Sequence, residues 1–129
     1  NYTTTDWQVA NNARRFECGS PNMLGAHALE ASLSLLEEEG MAQVAAALQD
    51  RVQRLIDGLG ERGATLLSPA EPQRRAGIVT FSLPEETPAK TFQRLRQAGV
   101  VCAERGGGVR FSPHFYTDYS VIDRALALL

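Results

Sequence analysis

Residues 100–112 read Val100-Val101-Cys102-Ala103-Glu104-Arg105-Gly106-Gly107-Gly108-Val109-Arg110-Phe111-Ser112. Two runs of β-forming residues, Val100 to Ala103 and Val109 to Ser112, bracket the glycine cluster Gly106-Gly107-Gly108, and this pattern predicts a β-hairpin. A hairpin joins antiparallel neighbours, so the sheet that contains it is at least partly antiparallel. The glycines do not have the spacing of a P-loop or a dinucleotide fingerprint, and they open onto a strand in place of a helix. They read as a turn.

Upstream, Gly77 to Leu83 contains Ile78, Val79 and Phe81 between turn residues, and Ala64 to Leu67 is a short apolar run before Ser68 and Pro69. Both predict strands. Thr87 and Pro88 form an N-cap and first-turn pair for a helix through Phe92 and Leu95 that stops at Gly99. Thr117 or Asp118 can cap a last helix with Val121, Ile122, Ala125, Leu126 and Leu129. Further upstream, Leu24, Ala28, Ala31, Leu35 and Leu36 recur at helical steps from Met23 until Glu39, with Gly40 as the stop. A second helix buries Val44, Ala47, Leu48, Val52, Leu55, Ile56 and Leu59, turns Gln43, Gln49, Asp50 and Arg54 mostly outward, and ends at Gly60 or Gly63.

The predicted order is therefore α-α-β-β-α-β-β-α. It corresponds to an α+β fold, a two-layer sandwich with a small, mainly antiparallel sheet and helices on one face. The other face is free for a neighbour. Residues 1–22 have no helical period and end at Gly19, Ser20 and Pro21, so they read as an extended arm whose Tyr2 and Trp7 await a partner surface. Residues 23–129 form the domain proper.

Composition limits the functions available. A chain of 129 residues with 43% hydrophobic and 22% charged residues suits one packed, water-soluble domain with no membrane span. Its formal net charge is -2, from 13 basic and 15 acidic residues, and its arginines are scattered. That leaves no electrostatic footprint for nucleic acid. Cys18 and Cys102 form no ligand set with histidine, which argues against a metal site. The polar opening Asn1 to Ala10 lacks a signal-peptide pattern, so a cytoplasmic setting is expected.

His27, inside a helix, and His114, just after a strand, are far apart and read as structural or hydrogen-bonding residues. Glu37-Glu38-Glu39 reads as a solvated charge run. Two other segments are denser in chemistry. Arg14-Arg15-Phe16-Glu17-Cys18-Gly19-Ser20-Pro21-Asn22 crowds charged, aromatic and turn residues before a long helix. Val109-Arg110-Phe111-Ser112-Pro113-His114-Phe115-Tyr116-Thr117 precedes Ile122-Asp123 and Leu126.

The first segment resembles the R-F-E-x-G-T-P-N signature of class V aminotransferases, a group that includes cysteine desulfurase, selenocysteine lyase and isopenicillin epimerase relatives. The second resembles that family's R-x-S-x-H-x-Y-N stretch and the I-D-x-L helix after it. The motifs stand in family order and together cover nearly the whole chain.

The resemblance implies a fold-type I, pyridoxal 5'-phosphate-dependent enzyme acting on an amino acid or amine, in which this chain is the C-terminal small domain that closes the active site. It implies a homodimer, because the hydroxyl after the motif glycine reaches the cofactor phosphate bound in the partner subunit. Gly19 and Ser20 occupy those positions. Arg110 matches the arginine that holds the substrate carboxylate, a task suited to a planar, permanently charged fork. The alternative for Arg110 is a surface arginine on a strand.

The family's Schiff-base lysine lies upstream of the R-F-E motif, whereas Lys90, the only lysine, lies downstream. The chain is thus expected to depend on its own large cofactor-binding domain, to hold no cofactor and no catalytic residue, and to be inactive alone. Cys102 invites comparison with the desulfurase cysteine on a loop before that arginine, but the intervening segment is short and filled with glycine, so a buried inert thiol is expected. Cys18 stands at the motif's variable position. The rival to all of this is a free-standing α+β module for protein interaction or oligomerisation, using its open sheet face.

Overall fold

The computed structural model describes residues 5, 6, 8–17 and 19–129, so Tyr2, Trp7 and Cys18 lie outside the described residues. The chain divides into two compact units, residues 1–38 and 39–129. In the first, a 3-10 turn at Ala13–Phe16 interrupts the expected extended arm. Its bonds are local: the Asn12 side chain accepts from the Arg14 N–H at 3.1 Å, and the Glu17 N–H reaches the Arg14 carbonyl at 3.1 Å. Such a turn needs no apolar period, which is why the sequence pattern misses it. The helix α1, Met23–Glu39, follows, with the Asn22 side chain accepting from the Gly25 N–H at 2.9 Å. None of its residues is buried.

The second unit contains α2 (Met41–Gly60), β1 (Thr65–Leu66), β2 (Val79–Ser82), α3 (Pro88–Gln97), β3 (Ala103–Arg105), β4 (Gly108–Phe111) and α4 (Tyr119–Ala127). With α1 this is the expected order. The strands form one sheet in the order β1-β2-β4-β3, with every neighbouring pair antiparallel. Thr87 stands at the N-cap of α3 with proline in the first turn, although its hydroxyl makes no capping bond. Asp118 caps α4, accepting from the Ser120 N–H at 2.8 Å.

The hairpin is tighter than expected. Arg105 pairs with Gly108, leaving Gly106 and Gly107 as a two-residue turn at φ of 60° and 77°. Positive φ at both positions gives the twist that a two-residue antiparallel connection requires. Val100 to Cys102 stay outside β3, and the Val100 N–H is taken by the Leu95 carbonyl at 2.9 Å in the close of α3.

Side chains alternate across the sheet. Val79 and Phe81 of β2 and Val109 and Phe111 of β4 point to one face and are nearly inaccessible there. They meet Val52, Leu55 and Leu59 of α2, Leu95 of α3, and Ile122 and Leu126 of α4 in one core. Phe81 and Phe111 lie edge to face, with centroids 5.1 Å apart. This is the two-layer α+β sandwich.

Polar bonds fix the helices over that core. Arg54 of α2 grips Asp123 of α4 through two hydrogen bonds of 2.6 and 2.8 Å. The Arg51 and Arg54 guanidinium groups lie 5.0 and 5.3 Å from the centroid of the Tyr119 ring, whose hydroxyl donates to Asp50. On the other side, Arg94 and the Thr91 hydroxyl both donate to Glu86, and Arg94 also donates to the Leu128 carbonyl. Those bonds, Arg94 first and Thr91 second, hold the Glu86 carboxyl below its ordinary range.

Gly108 is the tightest point of the sheet. A Cβ there would come within 2.4 Å of the Phe81 carbonyl oxygen and 2.7 Å of Leu67. The oxygen belongs to the backbone and cannot rotate away, so Gly108→Ala should force β2 and β4 apart and destabilise the protein by about 1–3 kcal/mol. Gly107→Asn, at an open position where asparagine tolerates positive φ, should cost only a fraction of that. Urea unfolding of both variants checks the ranking; equal stabilities would contradict it.

Candidate functional site

Arg110 sits in the middle of β4, between Phe111 and Val109, whose side chains enter the core. Its own side chain therefore leaves the opposite, helix-free face. Across β2 it pairs with Thr80 and across β3 with Ala103. Arg110 is half-buried, and it makes no hydrogen bond or ion pair with the described residues. No buried side-chain nitrogen among the described residues lacks a partner, so the guanidinium nitrogens remain open to solvent.

Its surroundings are mainly apolar or hydroxylated. Leu67 donates its backbone N–H to the Thr80 carbonyl at 2.8 Å and lies over Gly108. Ile78, Ser112 and Val101, which flank the strands, are exposed, Val101 at 86%. The strand residues on this face include a second arginine, Arg105, paired with Gly108, and no carboxylate. A cleft of about 490 Å3 lies at the end of the sheet on the helix-covered side, lined by Leu55, Phe111 and Ile122 of the core together with Val101, Ser112 and Arg124.

The segment after β4 is held in shape. The His114 N–H reaches the Thr117 hydroxyl at 2.8 Å, and the Thr117 N–H returns to the His114 carbonyl at 2.9 Å. Arg51 of α2 then donates to the Thr117 carbonyl at 2.6 Å. His114 is exposed and stacks on Tyr116, with centroids 4.1 Å apart. His27, on α1, is exposed and 3.4 Å from Glu30.

Cys102 faces the other way. It packs against the core, whereas Ala103 pairs with Arg110 on the open face. Burial pushes its thiol up from the ordinary value, with a smaller opposing pull from Arg96. A protonated thiol turned to the core is a poor nucleophile toward anything bound at Arg110.

Gly19 and Ser20 lie in the first unit and Arg110 in the second, and each is described within its own unit. Gly19 adopts a φ of 54°, and a Cβ placed on it would meet nothing within 4 Å. Ser20 beside it is exposed. A left-handed glycine next to an open hydroxyl leaves backbone and side-chain donors accessible to an anion. Lys90 is exposed on α3. Among the described residues no group of three histidine, cysteine, aspartate or glutamate side chains could hold a metal, and no helix is long and apolar enough to cross a membrane.

The model of the family described as aminotransferase class-V matches residues 1–124. The chain belongs to the class V aminotransferase family. It is 30% identical over 111 residues to an uncharacterized aminotransferase, YcbU, of Bacillus subtilis, covering 86% of this chain and 29% of that protein. It is 34% identical over 121 residues to isopenicillin N epimerase of Streptomyces clavuligerus, covering 86% of this chain and 30% of the relative. The structure of a cysteine desulfurase from Thermococcus onnurineus superimposes with a TM-score of 0.82 at 24% identity, covering 95% of this chain and 34% of that one. The chain thus spans about a third of the length of the family members it matches.

The motif resemblance read from the sequence and the family match agree. Thr80 and Ala103, the cross-strand partners of Arg110, belong to neither motif, and the sequence did not single them out as its neighbours. Ile122 and Asp123 of the second motif are structural here, one in the core and the other bound to Arg54.

The orientation of Cys102 has a chemical readout. In a Cys18→Ser variant, alkylation of Cys102 by iodoacetamide at neutral pH should be at least about tenfold slower in the folded protein than in urea, as burial and a raised thiol pKa require. Equal rates would mean that the thiol is exposed and ionised.

Proposed function

We propose that the chain is the C-terminal, substrate-gathering domain of a pyridoxal-phosphate-dependent enzyme acting on an amino acid or amine. The observation that carries this reading is Arg110, a half-buried guanidinium without a partner among the described residues, at the centre of a sheet face whose strand residues include no acid, Glu104 of β3 pairing with Val109 on the other side. A planar fork with free donors matches the two oxygens of a carboxylate. The β2 and β3 partners fix its position on both sides. In this reading the small domain closes over a site provided by a large domain of the same polypeptide, in a homodimer.

The class V family is pyridoxal-phosphate-dependent. The donors at Gly19 and Ser20 fit a phosphate group, and we assign them to the cofactor phosphate. Bound pyridoxal phosphate supplies the electron withdrawal that weakens a bond to the amino-bearing carbon of the substrate. Arg110 orients the substrate so that one chosen bond meets that group. The exposed position of Lys90 on α3 supports assigning the cofactor's lysine to another part of the polypeptide, which leaves this chain inactive alone. The core-facing Cys102 favours transamination, epimerisation or lyase chemistry over sulfur transfer through a thiol of this domain.

The test uses the full-length enzyme, an amino-acid substrate and the corresponding decarboxylated amine. Arg110→Lys keeps the charge but loses the fork, so it should lower kcat/KM for the amino acid nearly as much as Arg110→Ala, by about tenfold or more, as expected for losing a charge-assisted hydrogen bond of roughly 1.5–3 kcal/mol. Activity on the amine and cofactor retention should survive both changes. Ser20→Ala should do the opposite, raising the cofactor dissociation constant by about tenfold through loss of one such bond. Unchanged kinetics in both Arg110 variants would refute the carboxylate role, and equal losses on amine and amino acid would make Arg110 structural.

A further inference from the structure

Arg110 does not stand alone on its face. The hairpin register sets Ala103 opposite Arg110 and Arg105 opposite Gly108. Alternation puts these four positions on the helix-free side and Glu104, opposite Val109, on the other. They make a block with arginines at two diagonal corners and the small residues glycine and alanine at the other two. Diagonal neighbours of an antiparallel pair have Cβ atoms about 7–8 Å apart, within reach of long side chains. The floor between the two arginines is apolar. Ala103 presents a methyl group, and Leu67 lies over Gly108, its δ1 carbon 2.7 Å from the point that a Cβ would take.

Neither arginine has an acidic partner among the described residues. Arg105 is exposed and Arg110 half-buried, and the ion pairs of those residues include neither. Glu104 and Glu85 make no ion pair with them, and Glu86, beyond β2, is held by Arg94. Two positive charges at this spacing repel each other, which an anion set between them relieves. Within the ladder the backbone N–H groups are spent on strand pairing, so recognition falls to the two guanidinium forks. Each fork matches a carboxylate.

Resting on the reading of Arg110 as the substrate-carboxylate site, we propose that Arg105 holds a second carboxylate, and that the substrate is a dicarboxylic amino acid, aspartate or glutamate. The block is complementary to such a molecule, with charge at two corners and an apolar floor for the methylene groups between. Arg105 is a specificity-determining residue in this scheme and takes no part in the bond that is broken.

The experiment measures binding and needs no turnover. Glutarate and valerate, a dicarboxylate and a monocarboxylate of the same chain length, are titrated into the full-length holoenzyme by calorimetry, with phosphonopropionate as the analogue that replaces one carboxylate by a phosphonate. Glutarate should bind about tenfold or more tighter than valerate, as expected for one added charge-assisted hydrogen bond, and phosphonopropionate should bind no better than glutarate. In Arg105→Gln, a change at an exposed position, the advantage of glutarate should disappear while valerate affinity and the melting temperature hold. Arg110→Ala should weaken valerate.

Glutarate that binds the parent no better than valerate, or an Arg105→Gln variant that keeps the full advantage, overturns the second-carboxylate inference and leaves the Arg110 reading standing. An Arg105→Gln variant that loses affinity for both ligands equally, with a lower melting temperature, shows that Arg105 is paired within the protein, which also overturns it. Phosphonopropionate that binds tighter than glutarate, and loses that margin in Arg105→Gln, overturns the dicarboxylic assignment in favour of a phosphorylated side chain. Arg110→Ala that binds valerate as the parent does overturns the carboxylate reading itself.

Discussion

The antiparallel pairing of β2 with β4 sets every other feature of the site. Val79 opposite Phe111 and Phe81 opposite Val109 send four large apolar side chains into one core, and the same register sends Thr80 and Arg110 outward together. Because strand side chains alternate strictly, a slip by one residue would bury the guanidinium and expose Phe111. The cost of burying an unpaired charge locks the register as firmly as the gain from burying phenylalanine. Gly108 belongs to this constraint, since only a residue without Cβ lets the strand pass the Phe81 carbonyl.

From that pairing the rest follows in layers. The two-residue glycine turn returns β4 beside β3 without a loop, which leaves no flexible segment between Cys102 and Arg110. Arg54 with Asp123 ties α2 to α4, Arg94 with Glu86 ties α3 to the segment before it, and Arg51 with the Thr117 carbonyl ties α2 to the segment after β4. These are exposed or half-exposed bonds whose individual contributions are small. Their role is geometric, holding α4 and the end of β4 so that the cleft beside Ser112 keeps its shape.

Much of this was legible in the sequence. Helical spacing gave α2 and its buried residues, Gly40 and Gly99 marked helix ends, and the glycine cluster gave the hairpin. The boundaries of that hairpin were not legible, because the Val100 N–H is claimed by the close of α3, a tertiary bond that β-propensity ignores. Arg110 was identifiable from its motif and Cys102 from the apolar pattern around it. The residues around Arg110 were hidden for a different reason. Thr80 and Ile78 lie some thirty positions upstream, and nothing short of the strand order β1-β2-β4-β3 brings them beside it. The 3-10 turn at Ala13–Phe16 was hidden because local hydrogen bonds, with no apolar pattern, make it.

The central claim is that the open-face guanidinium of Arg110 is kept unpaired for a ligand carboxylate. A crystal structure of the full-length enzyme, determined with and without a bound amino acid, tests it directly. The account predicts that Arg110 has no protein carboxylate partner in the free enzyme and that both ligand carboxylate oxygens lie within about 3 Å of its nitrogens in the complex, as a bidentate charge-assisted pair requires. An aspartate or glutamate from elsewhere in the protein paired with Arg110 in both states, with the amino acid bound at another position, would contradict it.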